Sequence, residues 1–185
     1  MRLLATCALA TVPAALMAHS GHGAADMATA AAHPWMGLDH LLAMVTVGAL
    51  GWRLGGKAQW MLPAAFIGGM SFGAVTAVAG LPGYGLEWLL SGSVVVLGVL
   101  LAVPRLPAAA WLYAAVALLA VAHGHAHTTE LGATVSPGFL FSTALLHACG
   151  CATAWALSRV TPAQTVRWAG AGVAAAGLMV MMSVA

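Results

Sequence analysis

Six long apolar runs, separated by short polar breaks, fill almost all of the chain after Pro34. They cover roughly Trp35–Trp52, Trp60–Gly80, Gly85–Val103, Ala108–His123, Gly138–Ser158 and Gln164–Val184. As helices, most are long enough to cross about 30 Å of hydrocarbon. The breaks carry turn and charge signals: Arg53-Leu54-Gly55-Gly56-Lys57, Leu81-Pro82-Gly83-Tyr84, Pro104-Arg105-Leu106-Pro107, the histidine-rich stretch Gly124–Pro137, and Arg159-Val160-Thr161-Pro162. Glycine recurs inside the runs, paired at Gly68 and Gly69 and four residues apart at Gly69 and Gly73, as suits close helix contacts in a membrane. The pattern predicts an all-α membrane protein, a bundle of six transmembrane helices.

The first eighteen residues read as a secretory signal peptide, with Arg2 as the positive region and Leu3 to Leu16 as the apolar stretch. Cleavage after Ala18 leaves His19 as the new N-terminus. Cleavage after Ala25 is the competing reading, and an uncleaved first helix is the alternative to both. The predicted plan is a leader (1–18), a short external polar segment (19–34) and a transmembrane domain (35–185).

Composition agrees with a membrane location. Of 185 residues, 62% are hydrophobic and only 5% charged, with a mean hydropathy of +0.97. So few charges argue against a soluble domain and against a nucleic-acid surface. The three cysteines, Cys7, Cys149 and Cys151, offer no disulfide framework. Charge placement orients the bundle. Every basic residue after Arg2 (Arg53, Lys57, Arg105, Arg159, Arg167) falls in or beside the first, third and fifth breaks, whereas Asp26, Asp39, Glu87 and Glu130 fall on the other side. Positive charge marks the cytoplasmic face, which places both mature termini outside.

Chemistry gathers on that outer side. Asp39 and His40 lie at the mouth of the first run, behind His33 and Pro34. An ionisable residue there costs several kcal/mol and usually marks a pathway or site. With Pro34 in the first turn of a helix, Met36, His40 and Met44 form one stripe beside Asp39. Helix capping with methionine as packing filler is the bland alternative. If the fourth helix continues through the histidine-rich stretch, His123, His127 and Glu130 share a face and His125 points nearly opposite. His147 lies about ten residues into the fifth helix, with Cys151 one turn later and Cys149 about 200° away. Imidazole, carboxylate and thiol donors suit Ni, Co, Zn or Cu. A mature His19 would add an α-amine and an imidazole, with His22 close by.

The stretches His33-Pro34-x-x-Gly37-x-Asp39-His40-Leu41-Leu42-Ala43-Met44, His123-Gly124-His125-Ala126-His127-x-x-Glu130 and Leu145-Leu146-His147-x-x-Gly150 resemble the HupE/UreJ family of bacterial membrane proteins. The resemblance implies a permease that supplies nickel or cobalt for hydrogenase or urease maturation. His33, Asp39, His40, His123, His127, Glu130 and His147 are the matching polar positions. Thr128, where the family more often has glycine, and the cysteines Cys149 and Cys151 depart from the pattern. The expectation is therefore a non-enzymatic inner-membrane protein that carries Ni2+ or Co2+ inward and keeps no resident cofactor. No nucleotide-binding motif is present to supply ATP hydrolysis. Its partners are membrane lipid and the metal ion, and homo-oligomerisation is left open. An accessory or sensor protein that binds metal without moving it is the alternative, and a membrane haem protein is a third reading.

Overall fold

A computed structural model of the chain describes residues 31–131, 137–162 and 164–184. The leader, its cleavage position, His19 and His22 lie outside the described residues. The described residues form six α-helices and no strand: α1 (Leu38–Leu54), α2 (Ala58–Val78), α3 (Leu86–Ala102), α4 (Ala110–Leu131), α5 (Pro137–Val160) and α6 (Thr165–Ser183). A single 3-10 turn, His33–Trp35, precedes α1.

Two boundaries differ from the sequence pattern, each for a local reason. Pro34 lies within the 3-10 turn that begins at His33, not in α1. The chain then extends at Gly37 (φ −87°, ψ 121°) before α1 starts at Leu38. Asp39 and His40 therefore sit in the first turn of α1, where a carboxylate is favoured by the helix dipole. Met36 falls outside the helix and is 82% exposed, so it shares no helical stripe with His40 and Met44. The other difference is α4, which runs through the predicted histidine-rich loop to Leu131. Within that extension Thr128 and Thr129 donate back to the carbonyls of Gly124 and Ala126, keeping their hydroxyls satisfied on the helix itself.

The helices associate mainly as three pairs, α1 with α5, α2 with α4 and α3 with α6, while α1 also touches α2, α3 and α6. Glycine closes each pair. Gly48 faces the carbonyl of His147, and Gly150 returns the contact on Val45. Gly69 and Gly73 lie against Ala117 and Val121, and Gly124 lies against Met70. Gly98, Gly170 and Gly177 join α3 to α6. At all of these positions a Cβ would meet a neighbouring backbone atom at under 3.0 Å. Such approach maximises van der Waals contact where lipid supplies no hydrophobic force between helices.

At the opposite end from Asp39, two arginines tie the bundle together. Arg53 donates to the carbonyls of Leu101 and Val103, and Arg167 Nε donates to Ala102 O at 3.0 Å. Both cations thus satisfy orphan carbonyls at the C-terminus of α3.

Polarity is arranged as lipid requires. Trp60, Phe72, Leu118, Phe141, Trp168 and Met182 are exposed, while His40, His123, His125, His127 and His147 are buried. Among the described residues, three helices, α2, α5 and α6, are long and apolar enough to cross a membrane.

These contacts give a first prediction. Gly124→Ala should destabilise the fold by about 1–3 kcal/mol through overpacking against α2, whereas Gly68→Ala, with open space around it, should be neutral. Thermal unfolding of the two variants in detergent, followed by size-exclusion profile, checks this; equal behaviour would show that the α2–α4 contact can relax.

Candidate metal centre

Three elements build the site. The 3-10 turn supplies His33, the first turn of α1 supplies Asp39 and His40, and the last third of α4 supplies His123, His127 and Glu130. At the rim, His33 Nε2 meets Glu130 Oε2 at 2.9 Å, joining residues 97 positions apart. Candidate ligand atoms of His33, His127 and Glu130 all lie within 4.8 Å of one another. Inward from this rim the imidazoles follow one another as a chain, edge to face or tilted. Ring centroids are 4.9 Å apart for His33 and His127, 4.1 Å for His127 and His40, and 5.0 Å for His40 and His123.

Hydrogen bonds decide what these rings can offer. Asp39 Oδ1 lies 2.8 Å from His40 Nδ1 and also accepts from the His40 backbone N–H. A carboxylate can only accept, so His40 Nδ1 carries a proton, and in the neutral ring Nε2 then keeps the lone pair. Ser93 on α3 does the same for His123. Its hydroxyl donates to Leu90 O at 2.6 Å, so it accepts from His123 Nε2 at 2.8 Å. That leaves the lone pair of His123 on Nδ1. His40 Nε2, His123 Nδ1 and both nitrogens of His127 are buried with no protein partner. An orphaned buried polar atom costs about 1–3 kcal/mol. Four of them on three adjoining rings make these imidazoles candidate ligands, and partners that fix a histidine's tautomer are the usual companions of metal-binding imidazoles.

Gly37 has a steric reason as well. A Cβ there would come within 2.8 Å of His40 Nδ1 and 3.0 Å of Asp39 Oδ1, in the middle of the pair. Beside Glu130, an open cavity of about 430 Å³ is also lined by Glu87, so two carboxylates share its wall. A cleft of one sign concentrates counter-ions, here cations.

The remaining sequence candidates lie elsewhere. His125 points away from the cluster and meets Thr76 Oγ1 on α2 at 3.0 Å. His147 on α5 is buried, with Phe66 between it and the cluster: the Phe66 ring centroid is 5.4 Å from His123 and 5.3 Å from His147. Met44 is fully buried in the apolar core, and Met36 is away on the surface. Cys151 is half-buried and Cys149 exposed, both as free thiols.

The family model described as HupE / UreJ protein matches residues 7–180. The chain belongs to the HupE/UreJ family. It is 34% identical over 190 residues to Protein HupE of Rhizobium leguminosarum bv. viciae, covering 98% of this chain and 97% of that one. No solved structure matches it. In this HupE/UreJ chain, six of the seven polar positions that carried the resemblance converge on one site, and His147 stands apart from it.

Ser93, Thr76 and Phe66 were not singled out from sequence. The apolar α3 carries two buried serines, Ser91 and Ser93, and a buried hydroxyl must find a partner, but only the fold shows that Ser93 is the one that meets a histidine.

The tautomer assignment is open to direct measurement. With ring nitrogens labelled, His123 should give the spectrum of an Nε2–H imidazole, and Ser93→Ala should convert it to a tautomer mixture. An Nδ1–H signal for His123 in the parent protein would refute the hydrogen-bond assignment.

Proposed function

We propose that this HupE/UreJ protein is a permease that takes a divalent transition-metal ion, Ni2+ or Co2+, from the outer face and releases it to the cytoplasm. The observation that carries this reading is the graded chain of rings, from half-exposed His33 and Glu130 through buried His127, His40 and His123 to Phe66 and His147. A static binding site needs one ligand shell. A succession of imidazoles with ring centroids 4.1 to 5.0 Å apart and leading inward suits an ion that moves from shell to shell.

Each part then has a role. Glu87 and Glu130 attract the hydrated cation. Glu130, His33 and His127 begin to replace its water, and the lone pairs of His40 and His123 complete the exchange deeper in the bundle. Asp39 holds the His40 ring in its donor tautomer and supplies negative charge beside the bound ion. Binding has to be moderate at every station, because conduction requires release as well as capture. The ion is cargo, with no resident cofactor and no ATP hydrolysis by this chain. Its delivery serves maturation of a nickel enzyme such as hydrogenase or urease.

In this reading all six helices span the inner membrane, with both mature termini in the periplasm. The 17-residue helices α1 and α3 reach about 25 Å at 1.5 Å per residue, near the short limit for a span. The basic residues at the Arg53–Lys57, Arg105 and Arg159 breaks support a cytoplasmic location for that end.

Two experiments test the proposal. Reporter fusions after Lys57, Arg105 and Arg159 should score cytoplasmic, and a fusion in the 81–84 break should score periplasmic; the opposite pattern would place the carboxylates on the wrong side for uptake. In cells given radioactive nickel, with cobalt, zinc and copper as competitors, Asp39→Asn and His40→Ala should each abolish uptake at near-normal membrane levels. Binding by the purified parent protein without any uptake would instead identify a metal sensor or accessory protein.

A further inference from the structure

Beyond the histidine cluster, a second group of donors lies on α5. Thr143, His147 and Cys151 follow one another at four-residue intervals, so they form a single stripe rising about 6 Å per step. Phe139, one step earlier, packs on His127 with ring centroids 4.2 Å apart. The stripe therefore leaves the cluster at His127 and runs toward the end of the bundle that carries Arg53 and Arg159.

Its members are unusual for a lipid-embedded helix. His147 is only 2% exposed, and neither ring nitrogen has a protein partner. Thr143 Oγ1 is likewise buried and unpartnered. His147 and Cys151 both line one groove of about 700 Å³ between α1, α2 and α5, together with Trp52, Gln59, Trp60 and Trp155. The three tryptophans belong at the membrane–water boundary, where indole rings are enriched. The groove thus runs past half-buried Cys151 to the end of the bundle that carries these tryptophans, with the His147 ring buried beside it. On the other side, Phe66 covers His147 and separates it from His123.

We propose that His147 and Cys151 form a second cation site, with nitrogen and sulfur ligands, at the head of this groove. One turn of helix brings imidazole and thiol to the same face, and the groove leaves room for water or the Gln59 side chain to complete the shell. On binding, Cys151 loses its thiol proton to groove water and the sulfur lone pair forms the bond to the metal, so one proton is released per ion. The ligand pair is softer than the outer imidazole–carboxylate set and favours Ni2+, Zn2+ or Co2+ over Mg2+ or Mn2+. It deepens the permease reading by giving the ion an inward-facing station of different chemistry. The two sites are chemically and spatially distinct, with Phe66 between them.

The test uses full-length protein purified in detergent with Cys7→Ser and Cys149→Ser, leaving Cys151 as the one thiol. Its alkylation by a small maleimide is timed with and without Co2+, and the near-ultraviolet thiolate-to-cobalt band is recorded. With Co2+ at about ten times its Kd, roughly nine-tenths of the thiol is occupied and alkylation should slow about tenfold. The protection and the band should persist in Glu130→Gln and vanish in His147→Gln. The band should also vanish in Cys151→Ser, and the slowing in each variant that keeps the thiol is taken against that variant's own rate without metal. No protection in the parent protein overturns the proposal. Protection that survives His147→Gln overturns the paired ligand set, and protection lost in Glu130→Gln overturns its independence from the outer cluster. None of these readouts needs net transport, so a protein that moved no nickel would defeat the permease reading while leaving this site standing.

Discussion

Backbone contact at glycine is the constraint on which the rest of the bundle depends. In lipid, apolar side chains gain little by leaving their surroundings for one another, so helices stay together by packing closely and by satisfying polar groups. Here the closest approaches coincide with the histidines. Gly124 lies against Met70 between His123 and His125, which sends one ring toward Ser93 and the other toward Thr76. Gly48 rests on the carbonyl of His147 itself, and Gly150 presses back on α1 from the following turn. A side chain at any of these positions would push a pair of helices apart and move a ring out of place.

Once the helices are this close, short hydroxyl side chains can reach across. Ser93 and Thr76 act alike. Each donates its single proton to a carbonyl on its own helix, at 2.6 Å in both cases, and so can only accept from the histidine opposite. One constrained hydroxyl therefore determines which nitrogen of a neighbouring ring keeps its lone pair. Asp39 produces the same result for His40 and adds a charge. The differences are useful. A carboxylate beside His40 favours a cation nearby, whereas a neutral hydroxyl beside His123 orients the ring without holding an ion more tightly.

Much of this was legible in the residue order. Apolar runs and charged breaks placed all six helices to within a few residues, except at the far end of α4, because period and punctuation are local properties. Helical spacing likewise put His123, His127 and Glu130 on one face and His125 on another. Two local features run against the pattern. Gly37 acts as an extended joint, so α1 begins later than Pro34 suggests, and Gly124 is tolerated inside α4 because α2 occupies the space a side chain would need. What the order could not show was which helices pair. Ser93 lies 30 residues from His123. Phe66 and His147 stand on α2 and α5, with α3 and α4 between them in the chain. Neither pairing has a periodic signature, and each exists only after the bundle has closed.

The distribution of the site along the chain has a consequence for its biogenesis. His33, Asp39 and His40 are made early, at the head of α1, whereas His123, His127 and Glu130 arrive only with the far end of α4. A nascent chain that has inserted α1 to α3 holds Ser93 and the first three donors but lacks the rings that complete the cage. The cluster's geometry is thus completed late in synthesis, in the same event that seats α4 against α2. An incomplete chain therefore carries His33 and His40 without the Glu130, His127 and His123 side chains that meet them in the finished bundle.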